Sequence, residues 1–182
     1  NDTVLPGLID NHVHLCLSGT AVPEIRTKQS NQTFSKACQS IGSHLNQHLN
    51  YGVTAVRDAG DHQGHVSRLM STDDKCLPGW VRLWFSGKAW HQKGRYGRLI
   101  GRPAQTNSSL ATEIAGSQDL NGRWVKIVNS GLNSLVHYGL ETTPQFGLGD
   151  LQAAVNAAAS RGLRIMVHAN GKIPVELAIQ AG

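Results

Sequence analysis

Five short apolar runs, each closed by a polar or glycine-containing group, recur along this chain: "VLPGLIDNHVHL", "VTAVRDAG", "WVRLWFSG", "WVKIVNSG" and "RIMVHANG". Their β-branched and aromatic content is that of strands. The stretches between them have helical periodicity. Residues 33–52 place Phe34, Cys38, Ile41, Leu45 and Leu49 on one face, ahead of Gly52. A weaker helix runs from Val66 to Met70, and another over 108–120 opens on serine. Residues 149–163 carry the stripe Leu151, Ala154, Val155 and Ala158, with Gly162 where a left-handed cap belongs. The last segment, 172–182, opens a further helix with Pro174 in its first turn. Strands alternating with helices predict βαβ units and a parallel sheet. Apolar residues on both strand faces agree, since helices cover such sheets. A doubly wound sheet and part of a (β/α)8 barrel both satisfy this pattern.

Composition narrows the classes. A chain of 182 residues, 40% apolar with twenty glycines, is long enough for one domain with its own core and too apolar for disorder. No apolar run approaches the ~18 residues of a membrane span, and no basic-then-apolar leader is visible. A membrane partner is therefore not expected, and a cytoplasmic location is the default. The start at "NDTVLPG", almost inside the first strand, leads us to expect an upstream segment. Cys16, Cys38 and Cys76 are scattered and odd in number, which is no disulfide framework and suits a reducing compartment. Within the net charge of +5, Lys88, Lys93, Arg95, Arg98 and Arg102 crowd residues 87–104. That loop could attract an anionic substrate or simply face water. No nucleic-acid motif accompanies it, so no nucleic-acid partner is expected.

Chemistry concentrates at the C-terminal ends of the strands. In the first, His12 and His14 are two residues apart and so leave the strand on one side. Such a pair can grip one metal ion; a chance pair among nine histidines is the plain alternative. The second strand ends in Arg57-Asp58, the third in Ser86-Gly87, and the fifth in His168-Ala-Asn-Gly. The fourth carries Lys126 inside the apolar "VKIV". Burying an ammonium without a partner is costly. Lys126 therefore either snorkels, pairs with a carboxylate such as Asp58, or loses its proton and becomes reactive toward carbon dioxide. In (β/α)8 enzymes the chemistry sits at this rim.

Taken together, "PGLIDNHVHL", "GVTAVRDAG", "RLWFSG", "VKIVNSG" and "QFGLGDLQAAVNAAASRGLRIMVHANG" resemble the amidohydrolase superfamily over essentially the whole chain. Order and spacing are most similar to its imidazolonepropionase-like, Xaa-Pro dipeptidase-like branch. The resemblance implies a partial (β/α)8 barrel of about five βα units, one truncated domain over 1–182, without the flanking β-domain of relatives. It implies two divalent metal ions, zinc fitting the ligands best. His12 and His14 would bind the more buried ion, Lys126 as its carbamate would bridge both, and His168 would bind the second. The family's strand-six histidine and its catalytic aspartate of strand eight have no counterpart here, so no catalytic base is assigned. After strand three, dipeptidase-like relatives often carry Gly-Gly-His-Gly-Asp; here "GRYGR" puts Tyr96 in the histidine's place and Arg98 in the aspartate's. Tyr96 and Tyr138 are the candidate substrate contacts.

The implied activity is hydrolysis of an amide C–N bond in a small peptide-like or N-acyl molecule. Two alternatives stay open: a one-metal deaminase, which needs no strand-four lysine, and an inactive fragment or scaffold of the same fold. Five strands would leave two open sheet edges. The expected partners are thus the remaining barrel strands or another chain against those edges, together with homo-oligomer formation.

Overall fold

Each apolar run becomes a strand, and consecutive strands lie side by side. The computed structural model describes residues 2–72, 77, 79–120, 122–132 and 136–182; Cys76 lies outside them. Strands β1 (Leu8–Val13), β2 (Val53–Asp58) and β3 (Arg82–Phe85) pair in that order. Strands β4 (Ala89–His91), β5 (Gly101–Pro103), β6 (Trp124–Val128) and β7 (Arg164–His168) pair in the order β5-β4-β6-β7. Every ladder is parallel. Among the described residues six helices accompany them: α1 (Pro23–Ser30), α2 (Phe34–Asn50), α3 (His65–Met70), α4 (Leu110–Gly116), α5 (Leu148–Ala159) and α6 (Lys172–Gln180).

The strand order distinguishes the two architectures that the sequence left open. The Ser86 amide donates to the Asp58 carbonyl at 3.2 Å, carrying the β2–β3 ladder one step further before the chain enters β4. β3 and β4 are thus two halves of one interrupted course, paired on one side to β2 and on the other to β6. Apart from the three-residue β5, which pairs alongside β4, neighbours follow chain order, whereas a doubly wound sheet reverses its order at a switch point. The fold is a partial (β/α)8 barrel of five successive βα units.

Two cores lie between strands and helices. Ile41, Leu45, Val66 and Leu69 pack with Val56, Leu83 and Phe85. Ile114, Leu151, Ala154 and Ala158 pack with Val125, Ile127 and Ile165. Strand alternation sends the intervening residues Arg57, Trp84, Trp124, Lys126 and Arg164 to the opposite, concave face. That face is where a barrel carries its chemistry.

Local signals explain several boundaries. The Ser109 hydroxyl accepts the Thr112 amide at 3.1 Å and starts α4; the Asp150 carboxylate accepts the Gly147 amide at 3.1 Å at the head of α5. Gly162 takes φ +69° after α5, as its position predicts. Two features depart from the sequence reading. Helix α1 has no buried residue, so it leaves no apolar stripe to detect. Residues 87–104, expected as a basic loop, contain β4 and β5, each too short to show a period. Trp90 is wholly buried there. Arg102 lies 4.2 Å over its ring and donates to both Asp119 carboxylate oxygens at 2.9 Å, so part of this basic run is structural. Among the described residues no helix is long and apolar enough to cross a membrane.

Two glycines on these elements should respond oppositely to a methyl group. A Cβ at Gly101 would lie 2.0 Å from the Ala89 carbonyl oxygen, which the β4 backbone cannot move aside, whereas one at Gly149 in α5 meets nothing within 4 Å. Gly101→Ala is expected to destabilise by about 1–3 kcal/mol. Gly149→Ala is expected to stabilise by about 0.5–1 kcal/mol through helix propensity. Urea unfolding of the three proteins measures both.

Candidate metal centre

Lys126 is the middle residue of β6, and its side chain is completely buried. Its Nζ lies 3.1 Å from His12 Nε2. Among the described residues no carboxylate oxygen forms a salt bridge with it, so the pairing with Asp58 that the sequence allowed is not made. Burial, and then the positive charge of Arg57, bring its pKa from 10.5 down to about 7; Asp58 works weakly against them. At neutral pH a substantial fraction of the amine is therefore neutral.

The histidines surround this amine. The His12 and His14 rings are 5.4 Å apart at 66°. Burial, with the positive charges of Lys126, His14 and His168, pushes His12 down to about 4. His14 is lowered chiefly by burial, against a hydrogen bond of its Nδ1 to the Gly60 carbonyl at 2.8 Å. Burial likewise lowers His168. All three rings are therefore neutral near pH 7, the state in which imidazole binds metal.

Hydrogen bonds choose the ring nitrogens left for a ligand. A carbonyl oxygen only accepts, so His14 Nδ1 carries the proton and Nε2 keeps its lone pair. In His168, Nε2 faces the Gly131 carbonyl at 3.4 Å and the Asn170 amide nitrogen at 3.3 Å. Its Nδ1 has no hydrogen-bond partner among the described residues.

Two residues that the sequence showed only as a polar strand end contribute to the site. Arg57 lies 4.2 Å over the Trp124 ring and donates from Nε to the Asn11 carbonyl at 2.9 Å. Its charge acts on both Lys126 and His12. Asp58 is fully buried behind the site and accepts two backbone amides. Both were visible as a polar pair ending β2, but their long-range contacts were not.

The two candidate substrate tyrosines differ. Tyr96 is brought to the site, its ring 5.4 Å from that of His168. The Gln145 side chain holds this loop, donating to the Tyr96 carbonyl at 2.8 Å and accepting the Gln92 amide at 2.8 Å. Tyr138 is fully exposed and is not brought to the site. A recess of about 670 Å³ opens toward the N-terminal ends of β6 and β7, below the histidines, lined by Ile9, Asn11, Arg57, Trp84, Trp124 and Arg164 among others. Its wall is aromatic and cationic, with no metal-binding side chain.

Among the described residues no three His, Cys, Asp or Glu side chains converge to hold a metal by themselves. The arrangement reaches a usable donor set only if Lys126 contributes. A buried neutral amine between imidazoles meets that need, because a carbamate on Nζ would supply the missing anionic oxygens. The residues present fit divalent metal ions on that condition.

The amidohydrolase family profile matches residues 3–182, and the chain belongs to that family. No curated protein sequence matches it. Among solved structures, a prolidase complexed with N-methylphosphonate-L-proline aligns with a TM-score of 0.73 at 23% identity, over 97% of this chain and 46% of its own. A Xaa-Pro dipeptidase with methionine bound in its active site gives 0.70 at 23%, with the same coverage of 97% and 46%. The ochratoxinase of A. niger gives 0.69 at 17%, again over 97% and 46%. The chain spans less than half the length of these structures, and the likeness is one of fold.

The lowered lysine pKa has a testable sign. Below pH 7 the folded state holds a buried ammonium, and the penalty is at its full value. Between about 7 and 10.5 the unfolded chain binds the extra proton, so stability rises with pH. Lys126→Met removes this dependence. Metal-free native protein is therefore expected to gain stability relative to Lys126→Met as pH rises from 7 toward 10. A constant difference in thermal midpoint across that window would show an ordinary lysine.

Proposed function

We propose that this chain supplies the metal-binding half of a hydrolase that cleaves amide C–N bonds in small peptide-like or N-acyl substrates. The observation that carries this reading is Lys126, buried without a carboxylate partner and 3.1 Å from His12 Nε2. Family membership supports a hydrolase acting on such bonds. The choice of a peptide-like substrate rests on the fold shared with a prolidase and a Xaa-Pro dipeptidase.

In this reading neutral Lys126 uses its Nζ lone pair to form a C–N bond with carbon dioxide and releases one proton. The resulting anion would add oxygen donors to the imidazoles for divalent metal ions, zinc fitting imidazole and carboxylate-type oxygens best. His12 and His14, the latter through Nε2, would hold one ion, and His168 would hold the other through Nδ1. The chemistry such ions supply is polarisation of the scissile carbonyl and activation of a water. The residues of this chain orient the ions, keep their own rings neutral and bury the carbamate away from solvent. Tyr96, exposed with its ring 5.4 Å from that of His168, would be the side chain to meet a substrate. No residue here serves as the general base. Further barrel strands or another chain cover the sheet edges, where Leu8 and Ile9 of β1 are well exposed, and a homo-oligomer is one way to do so.

One observation favours a second reading, a scaffold of the same fold: without the lysine, the described residues offer no closed metal-ligand set. Metal content separates the two. Protein purified with zinc and ¹³C-bicarbonate is expected to carry stoichiometric zinc and a lysine carbamate resonance. Lys126→Ala should lose both, and short carboxylic acids should restore part of the zinc. Full zinc content in the alanine variant without such acids would show Lys126 to be structural only.

A further inference from the structure

Among the described residues, Asp58 is a fully buried carboxylate near the centre that the metal-binding scheme does not use. It sits at the end of β2, and no cation forms a salt bridge with it among the described residues. An isolated carboxylate in such a place is costly and persists where several donors address it. Two do. Oδ2 accepts the Leu15 amide and Oδ1 accepts the Gly60 amide, each at 2.8 Å. Both donors adjoin His14: Leu15 is the next residue, and the Gly60 carbonyl accepts from His14 Nδ1 at 2.8 Å. The contacts close a ring from Asp58 through Gly60, the His14 imidazole, and the Leu15 peptide back to Asp58.

The rest of this turn is equally constrained. The Ala59 amide donates to the Val13 carbonyl at 2.7 Å, tying the same two strand ends together. Gly60 adopts φ +104°, and a Cβ there would lie 2.4 Å from the Gly87 carbonyl oxygen. Only glycine fits, and its peptide plane has one orientation. Two acceptor oxygens on one rigid carboxyl hold that plane and the His14 peptide in register. An asparagine in the same place has one acceptor, and its NH₂ would oppose an N–H.

We propose that Asp58 is a positioning residue for His14: by accepting the Leu15 and Gly60 amides it keeps the Gly60 carbonyl on Nδ1 and fixes Nε2 as the nitrogen free for metal. This deepens the hydrolase reading and rests on it for the identity of the ligand. Carboxylates and carbonyls that orient metal-binding imidazoles are commonly worth about 10- to 100-fold in metal affinity. Here the carboxylate acts one step removed, through the peptide whose carbonyl touches the ring.

The test uses the full chain, labelled with ¹⁵N and freed of metal by chelation. Two-bond proton–nitrogen spectra report the tautomer of each imidazole, with His14 assigned by its loss in His14→Gln. The native protein is expected to show His14 protonated at Nδ1. Asp58→Asn is expected to shift His14 toward the Nε2–H form and to weaken zinc binding, titrated with the ion alone, at least tenfold. Leu45→Val, a conservative trim in the helix-side core of α2 that contacts no metal-ligand candidate, serves as a stability control and should alter neither. Native His14 protonated at Nε2 would overturn the proposal, and this spectrum decides even if Asp58→Asn does not fold. An Asp58→Asn spectrum and affinity like the native ones would overturn it too, as would equal changes in the control. If the tautomer follows Asp58 while no variant and no native protein binds zinc, the positioning role stands and the metal-hydrolase reading fails.

Discussion

A lysine whose side chain is wholly removed from water must lose its proton, gain a counter-charge or be converted chemically. Among the described residues no salt bridge gives Lys126 a counter-charge: its near neighbour is Nε2 of His12 at 3.1 Å, and the cation of Arg57 acts on it more strongly than the carboxylate of Asp58. Everything around it is arranged for a neutral amine. The imidazoles are held neutral by burial and mutual repulsion, and the guanidinium that lowers its pKa is anchored on Trp124 and the Asn11 carbonyl. An ordinary structural lysine would be better served by one carboxylate within reach. Among the described residues no such bridge is made, and it is on this that the proposed carbamate rests.

The fold makes this arrangement possible through strand alternation. β6 sends Val125 and Ile127 into the helix-side core and Trp124 and Lys126 to the concave face. β7 treats Ile165 and Arg164 in the same way. The concave face is therefore layered, with arginines and tryptophans lower down and the imidazoles and lysine near the strand ends. Parallel order then brings residues more than a hundred positions apart in sequence, such as His12 and Lys126, into contact.

Much of this was legible in the sequence, for physical reasons. The pairing of His12 with His14 follows from the two-residue period of a strand, and Lys126 was conspicuous because a charge inside an apolar run is rare. Gly162 marked its cap through its backbone freedom. What stayed hidden depends on contacts that local pattern does not encode. Helix α1 buries nothing, and β4 and β5 are three residues each and held by packing around Trp90. Asp58 could be seen as a polar strand end, but its bonds to Leu15 and Gly60 required the fold. Of the two tyrosines named as substrate contacts, only Tyr96 has a neighbour in the site, because Gln145 pins its loop.

The central claim is that the amine of Lys126 becomes the anionic bridge of a metal centre at the strand ends. Anomalous diffraction at the zinc edge, from crystals grown with zinc and bicarbonate, tests it most directly. The account predicts two zinc peaks flanking density that extends beyond Lys126 Nζ, one within bonding distance of His12 and His14 and the other of His168. Crystals soaked under those conditions that show no zinc there, and an unextended lysine side chain, would contradict it.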